Sequence, residues 1–312
     1  MLLRDTHAFE DIRDEAKRLG PLPMAVAHPC SRESLQGAVD TLLDGVATPI
    51  LIGPESKIRR LAEDIEINLQ DIEIIDAPHS HAAAETAVSL VREGAADILM
   101  KGSLHTDEFM TEILARNTGI RTDRRISHVF IMRVESYPRY LFITDAAINI
   151  SPDLMTKRDI CQNAIDLCHS LGIAEPKVAI LSAVETITPE IASTVDAAAL
   201  CKMADRGQIR GAVLDGPLAF DNAISLQAAD TKGIVSPVAG SPDILLVPDL
   251  ESGNMLAKQL TYLAAAASAG IVMGARAPIV LTSRSEDAPG RLASAAIANL
   301  LAHRRRKIGK IA

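Results

Sequence analysis

Aromatic residues are scarce in this sequence, at 3%, and tryptophan is absent from its 312 residues. Stacking platforms for sugars and for single-stranded nucleic acid depend on exposed aromatic rings, so the composition disfavours both. An excess of positive charge is also missing, since the net charge is −8. Nucleic-acid phosphates need clustered cations, so we expect no nucleic-acid partner. We interpret the basic segment 303–310 as a helix end whose cations complement the helix dipole.

Three common motifs of nucleotide and hydrolase sites are missing. No G-x-G-x-x-G follows the first predicted strand, and this absence disfavours an enzyme that binds a dinucleotide cofactor. No G-x-x-x-x-G-K-[ST] is present, so a P-loop nucleoside triphosphatase is disfavoured. The G-x-S-x-G nucleophile elbow of α/β hydrolases is absent as well.

Cysteine is rare and shows no C-x-x-C pair, so no zinc site is predicted. The four cysteines fit reduced, buried thiols of a cytoplasmic protein, and they are Cys30, Cys161, Cys168 and Cys201. The N-terminal segment is charged and amphipathic, unlike a signal peptide. The most apolar stretch, 255–275, contains Lys258 and is predicted to be a buried helix followed by Gly270, not a membrane span.

Short β-branched runs alternate with helical patterns over the first 120 residues. Strands are predicted at 24–29, 49–53, 72–77 and 96–102, and a helix is predicted after each of the first three. This βαβ order predicts a parallel sheet with right-handed crossovers. After residue 120, the segment HVFIMRVESYPRYLFITDAAI predicts a hairpin.

The βα order then resumes, with strands predicted at 177–183, 210–216 and 243–249. No repeat or flexible linker separates the parts of the chain. We therefore predict two α/β lobes, one of residues 1–124 and 274–312 and one of residues 125–273. A cleft between lobes is the default position for a ligand site.

Five polar segments follow predicted strands, and they are MKGSLHTDEFM, FITDAAINISP, LDGPLAFDNAIS, VPDLESGNMLAKQ and LTSRSEDAPGR. Ligands of open α/β sheets bind at the carboxyl ends of strands, where helix N-termini present unpaired N–H groups. A single polar segment of this kind is what an ordinary turn contains. Five of them indicate a shared pocket.

These segments resemble the phosphate acetyltransferase/phosphate butyryltransferase family over about residues 20–302. The most specific matches are DGPLAFDNA, VPDLESGN and VLTSR, while MKGSLHTDEFM is similar to the butyryltransferase-like branch. The resemblance implies a two-lobed α/β fold like that of isocitrate and isopropylmalate dehydrogenases, with mostly parallel sheets and a central cleft. It also implies a homodimer or higher homo-oligomer, acyl-CoA and phosphate as substrates, and neither metal nor redox cofactor.

Ser283 and Arg284 match the serine-arginine pair of that family, which implies oxyanion stabilisation by the serine and phosphate binding by the arginine. A guanidinium contacts phosphate in bidentate fashion, and a fixed hydroxyl stabilises charge on a carbonyl oxygen. The alternative is a helix cap at Ser283 with Arg284 in solvent. The family's candidate base, an aspartate seven residues after the serine, is replaced by Gly290. Glu286 or Asp287 either takes over that role or only complements the helix dipole.

The remaining candidates keep two interpretations each. Lys101, Gly102 and Ser103 form an anion-binding turn or a plain loop. Asn254 and Lys258 share a helix face and bind phosphate or the pantetheine arm, or they belong to a capped surface helix. Asp145 lines the cleft or caps the next helix. The DGP…D match gives Asp215, Gly216, Pro217 and Asp221, which approach a ligand or form a tight turn.

The sequence thus predicts a cytoplasmic phosphate acyltransferase, in which acyl-CoA and phosphate give acyl phosphate and coenzyme A by direct transfer of an acetyl or butyryl group. One rival is a non-catalytic acyl-CoA-binding regulatory domain, which the loss of the carboxylate at Gly290 supports. The other is a hydroxy-acid dehydrogenase on the same fold, which the absence of arginine-rich and metal-aspartate clusters disfavours.

Overall fold

The computed structural model describes residues 8–281 and 287–309, and these divide into two compact units. The middle unit consists of Ala8 and Arg125–Ser268. The terminal unit consists of Phe9–Arg124 and the described residues from Ala269 onward. These bounds differ from the predicted lobes at Ala8 and at residues 269–273.

Helices and strands alternate along the first part of the chain. Its elements are α1 (Glu10–Leu19), β1 (Leu22–Ala27), α2 (Arg32–Leu43), β2 (Ala47–Gly53), α3 (Glu55–Asp64), β3 (Glu73–Asp76), α4 (Ser80–Glu93), β4 (Ile98–Lys101) and α5 (Thr106–Leu114). Local signals set several of these bounds. The Ser31 side chain caps α2 by accepting the Ser34 N–H, and Gly94 ends α4 in the left-handed conformation.

The rest of the chain begins with a hairpin and returns to βα order. Its elements are β5 (Ser127–Arg133), β6 (Leu141–Thr144), α6 (Leu154–Ser170), β7 (Lys177–Leu181), α7 (Ala192–Asp205), β8 (Val213–Leu218), α8 (Phe220–Ile224), α9 (Leu226–Thr231), β9 (Ile244–Leu246), α10 (Leu250–Leu263), β10 (Ala267–Met273), β11 (Ile279–Val280) and α11 (Ala288–Gly309).

The strands of the terminal unit lie in the order β3-β2-β1-β4-β11-β10. Neighbouring strands are parallel except β10, which pairs antiparallel with β11. The central strand β1 is buried along almost its whole length, as expected for a parallel strand covered on both faces. Because the carboxyl ends of β1, β4 and β11 lie at one edge, the segments that follow them are neighbours.

The strands of the middle unit lie in the order β5-β6-β9-β7-β8. The predicted hairpin is confirmed, since β5 and β6 are antiparallel with Val129 opposite Thr144. The other pairs are parallel, so β6, β9, β7 and β8 also end at one edge. The fold class is therefore confirmed as α/β with mostly parallel sheet.

The helix predicted across the alanine-rich stretch is wrong in its second half. α10 ends at Leu263, Ala265 has a φ of +50°, and residues 267–273 form β10. Alanine has little strand preference, but Ile271 and Val272 have a strong one. The antiparallel pairing of Val272 with Ile279 then places this segment in the sheet. No described helix is both long enough and apolar enough to cross a membrane.

Candidate functional site

The turn after β4 lies at the carboxyl edge of the terminal sheet. Val280 of β11 is in register with Met100, so Leu281 leaves the sheet beside Lys101. The predicted residues Ser283, Arg284 and Glu286 lie outside the described residues. The chain that leads to them therefore departs from the strand next to the Lys101–Ser103 turn.

The ammonium group of Lys101 forms hydrogen bonds to the backbone of the turn that follows β4. The side chain is buried, and Nζ donates to the carbonyl oxygens of Gly102 (3.2 Å) and Leu104 (3.1 Å). These bonds place a positive charge beneath the backbone of the turn. The arrangement orders the turn and adds the local positive potential that an anion requires.

Ser103 packs against the end of β1, and glycine at 102 makes this possible. The Ser103 N–H donates to His28 O (2.9 Å), and the Ser103 hydroxyl donates to the same oxygen (3.1 Å). The Cys30 N–H donates in turn to Ser103 Oγ (3.2 Å). A Cβ atom added at Gly102 would lie 2.5 Å from His28 O and would also clash with Ala27 O.

We expect Gly102→Ala to disrupt this edge, because the clashing atoms are backbone and cannot move away as a side chain does. The physical cost is of overpacking type, about 1–3 kcal/mol, and thermal unfolding measures it. Gly45→Ala is a control of another kind, since space is open there and only its positive φ of 70° opposes the change. Wild-type stability and activity in Gly102→Ala would show that the turn is not packed as described.

His28 was missed by the sequence analysis, which placed it inside the predicted strand 24–29, whereas β1 ends at Ala27. Its φ is +53°, a conformation in which histidine is more frequent than most residues. Its Nδ1 lies 3.2 Å from Ser103 O. Partial burial lowers the pKa of the His28 imidazole below its usual 6.5, so this side chain is neutral near pH 7.

Asp287 lies at the start of α11 and acts there as a helix cap. Its Oδ1 accepts the N–H of Gly290 (2.9 Å), and its carbonyl oxygen accepts the N–H of Arg291 (3.1 Å). The side chain is exposed. This geometry corresponds to the helix-terminus interpretation of Asp287.

Asp145 in the middle unit organises the loop after β6. It is buried, and its carboxylate accepts N–H groups of Ala147 (3.0 Å), Ile148 (3.1 Å) and Asn149 (3.1 Å), together with the Asn149 side-chain amide (2.5 Å). Asp145 therefore caps the turn that follows it. Nearby His128 is fully buried, and burial lowers its pKa to about 4 although the Asp145 charge opposes this.

α10 places Asn254 against the loop that follows β6. Its Nδ2 donates to Ala146 O (3.1 Å), and Gly253 packs so closely that an added Cβ would lie 2.9 Å from Asp145 O. Lys258 is exposed one turn further along α10 and has no hydrogen-bond partner among residues 8–281 and 287–309. Asp145 and Asn254 thus belong together, with Lys258 at their solvent side.

The segment Asp215–Pro217 lies inside β8 and does not follow it. An added Cβ at Gly216 would lie 2.8 Å from Ile180 Cβ, so the close approach that this glycine permits is to β7. The Gly216 N–H donates to Asp215 Oδ1 (2.9 Å). These residues therefore pack β8 against β7 at the carboxyl edge of the middle sheet.

Asp221 belongs to an ionic cluster that the sequence analysis did not find. Lys232 Nζ lies 3.1 Å from Asp221 Oδ2 and 3.3 Å from Glu185 Oε2. The buried Asn222 donates from Nδ2 to the same Glu185 oxygen (3.2 Å). Glu185 follows β7 and Asp221 follows β8, so adjacent parallel strands deliver both carboxylates. In the sequence, the one indication of the pairing between Glu185 and Lys232 is that Glu185 follows a predicted strand.

Both sheets thus collect charged and polar side chains at their carboxyl edges, which is where α/β proteins of this class commonly bind their ligands. The comparisons with known proteins identify the family. Residues 80–299 match the model described as phosphate acetyl/butaryl transferase, and the chain belongs to this family.

Two curated relatives cover almost the whole chain. The chain is 62% identical to the phosphate acetyltransferase of Rhizobium meliloti over 291 residues, which cover 93% of this chain and 92% of the relative. It is 42% identical to the phosphate butyryltransferase of Clostridium acetobutylicum, over 95% of this chain and 98% of the relative.

Solved structures agree on the fold. A branched-chain phosphotransacylase from Enterococcus faecalis superposes with a TM-score of 0.78 at 30% identity, over 90% of this chain and 99% of that structure. A 4-hydroxythreonine-4-phosphate dehydrogenase from Burkholderia phymatum has a TM-score of 0.59 at 14% identity, over 90% and 98%. The second likeness shows a shared fold alone, and it is consistent with the dehydrogenase-like α/β fold that the family resemblance implied.

Proposed function

We propose that the protein transfers an acyl group between coenzyme A and inorganic phosphate, so that acyl-CoA and phosphate give acyl phosphate and coenzyme A. The observation that carries this proposal is the 62% identity to a phosphate acetyltransferase over nearly the full length. The structure supports it with the ordered Lys101–Ser103 turn beside the strand that leads to Ser283 and Arg284. Arg284 holds phosphate, and Ser283 donates to the oxyanion that forms on the acyl carbonyl.

A thiol-release assay tests this function. Purified protein is mixed with acetyl-CoA, propionyl-CoA or butyryl-CoA, with and without phosphate. We expect thiol release that depends on phosphate, with the acetyl or butyryl thioester preferred. Release that is independent of phosphate indicates a thioesterase, and binding without any release supports the regulatory-domain alternative.

We further propose that acyl transfer is direct, through a complex that contains both substrates. The cysteines support this mechanism, because burial raises the pKa of Cys201 to about 12 and also raises the pKa values of Cys30, Cys161 and Cys168. Protonated thiols are poor nucleophiles. Direct attack by a phosphate oxygen on the thioester carbonyl therefore needs no acyl-enzyme intermediate.

The kinetic order follows from direct transfer. Initial rates measured against both substrates are expected to give intersecting double-reciprocal lines. No labelled acyl group is expected on protein denatured during turnover. Parallel lines together with an acylated cysteine, at Cys201 for example, would establish a covalent mechanism instead.

We also propose that the protein works in the cytoplasm as a homodimer or higher homo-oligomer and requires neither metal nor bound cofactor. The family resemblance supports these points. Light scattering of the purified protein measures the assembly, and turnover after treatment with a chelator tests the metal requirement. A monomer, or activity that returns only with added metal, would contradict them.

A further inference from the structure

We propose that α10 is the centre of a self-association surface, on which two copies of this chain pack their α10 helices antiparallel across a two-fold axis. The contact is made by Glu251, Met255, Lys258 and Tyr262, which are called the α10 stripe below. This proposal goes beyond the acyl transfer reaction, and it assigns a surface to the homo-oligomer proposed above.

The helix α10 is apolar on two different sides. On its inner side, Leu256, Ala257 and Leu260 pack on the core cluster of the middle sheet. On its outer side, Met255 is 58% exposed and Tyr262 is 66% exposed. A helix at the surface of a soluble protein normally has one apolar side and polar residues on the other. The second apolar side therefore fits a helix that is covered in the assembled protein.

The α10 stripe has the spacing of a coiled-coil seam. Its residues follow one another by four, three and four positions, and all of them are exposed. Alternating steps of three and four keep side chains in one line along a helix, so a second helix can pack along that line. The stripe extends over about 16 Å of helix, which is three turns.

Further exposed apolar side chains lie on the same layer of the middle unit. The helices α8 and α9 and the segment 234–239 pack on the same core cluster as α10, so their outer sides form one layer over the sheet. This layer carries the exposed side chains of Phe220, Leu226, Val235 and Leu263 besides those of the stripe. Half of the large apolar side chains that are exposed in the described parts of the chain therefore lie on this layer.

The exposed apolar area of this layer is of the size that an interface needs. At about 150 Å² for a large side chain, the exposed fractions of its six large apolar residues amount to roughly 600 Å². The largest apolar patch on an ordinary monomer is about 300–600 Å². Each partner in a standard protein interface buries about 800 Å², polar rim included. The layer thus supplies most of one side of such an interface.

The charges of the α10 stripe select a second copy of this chain as the partner. Glu251 lies near the start of α10 and Lys258 lies two turns further on. A two-fold axis near Met255 places Glu251 opposite Lys258 of the second copy, and the symmetry makes this contact twice. A parallel pair would instead bring like charges together, and it would also align the two helix dipoles unfavourably.

The net charge of the chain supports the same choice. Two copies that each carry a charge of −8 repel one another over most of their surfaces. A surface that offers one cation for each of its acids avoids this repulsion, because every acid of one copy meets a cation of the other. The α10 stripe has this balance, with one acidic and one basic residue.

The first test measures the assembly of the full chain by light scattering and sedimentation over a range of concentrations. Met255→Glu and Tyr262→Glu each place a new charge in the middle of the contact. Either change is expected to raise the dissociation constant of the dimer by about 30-fold or more, as for a central interface residue. Leu43→Glu is the matched control, because Leu43 is 77% exposed at the end of α2 in the terminal unit. Circular dichroism shows that each variant is folded.

The second test exchanges the two charges of the stripe. Glu251→Lys alone or Lys258→Glu alone brings like charges together across the axis, and each is expected to weaken the dimer by about 10-fold or more. The double variant restores an opposite-charge contact and is expected to return to within about 2-fold of the wild-type dissociation constant. A role of either residue within one chain would give no such recovery.

The contrary outcomes differ in what they overturn. If the wild-type protein self-associates and Met255→Glu and Tyr262→Glu dissociate no more than Leu43→Glu, the interface lies elsewhere, and this proposal fails while the homo-oligomer stands. If the double charge variant stays as weak as the single ones, the antiparallel contact between Glu251 and Lys258 is wrong. If the wild-type protein is a monomer at every concentration, both the surface and the homo-oligomer fail. Phosphate-dependent thiol release is measured on the same samples, and its absence would contradict the acyl transfer function without bearing on this surface.

Discussion

Arg284→Ala is expected to raise the KM for phosphate and to lower turnover, with a loss of about 2–4 kcal/mol in kcat/KM, or roughly 30- to 1000-fold. In the proposed role, the guanidinium contacts phosphate in the ground state and continues to neutralise charge as the acyl group moves. Removal of the side chain therefore weakens both binding and transition-state stabilisation. Initial rates at varied phosphate concentration measure the two effects separately.

Two variants sharpen this test. Arg284→Lys keeps the charge but loses the two parallel donors of the guanidinium, so an intermediate loss is expected. Arg276→Ala changes an exposed arginine just before β11 and is expected to leave both parameters unchanged. Wild-type kinetics in Arg284→Ala would remove the phosphate-binding role from this residue.

Asp145→Ala is expected to destabilise the middle unit by about 3–5 kcal/mol, because a buried carboxylate that accepts four N–H bonds is lost. Three backbone N–H groups lose this acceptor, while the Asn149 side-chain amide keeps its bond to Ile126 O (2.9 Å). The loop of residues 146–149 carries the Ala146 carbonyl that Asn254 contacts. A loss of activity is therefore expected to accompany the loss of stability. Chemical denaturation followed by circular dichroism measures the change in unfolding free energy.

Asp249→Ala is the matched control for Asp145→Ala. Asp249 caps α10 through Oδ1, which accepts the Ser252 N–H (2.8 Å) and the Ser252 hydroxyl (2.8 Å). Its replacement is expected to cost only about 1 kcal/mol, as for an ordinary helix cap. Similar losses in both variants would show that the four bonds of Asp145 contribute no more than one ordinary helix cap.

The sequence predicted most of the fold because its signals were local. The alternation of β-branched runs with capped helices needed no knowledge of distant contacts, and neither did the hairpin of β5 and β6. The second half of the alanine-rich stretch was wrong, because its strand depends on pairing with Ile279, and that partner lies outside any local window. Alanine strongly favours helices, so the local composition of this stretch predicted the wrong element.

The candidate site was predictable only in part. The positions of Asp145 and Asn254 after strands were visible in the sequence, but their shared loop was not. His28 gains its orientation from Ser103, which is 75 residues away in the chain. Lys232 meets Glu185 across 47 residues for the same reason. Contacts that join separate strand ends need the three-dimensional fold.

The central claim, transfer of an acyl group between coenzyme A and phosphate, is tested most directly by ³¹P NMR of the protein with acetyl-CoA and phosphate. The account predicts an acyl phosphate resonance that grows in proportion to free thiol, one for one, from the earliest time points. Bound acetyl-CoA with neither product, or thiol released without acyl phosphate while added acyl phosphate stays intact, would contradict it.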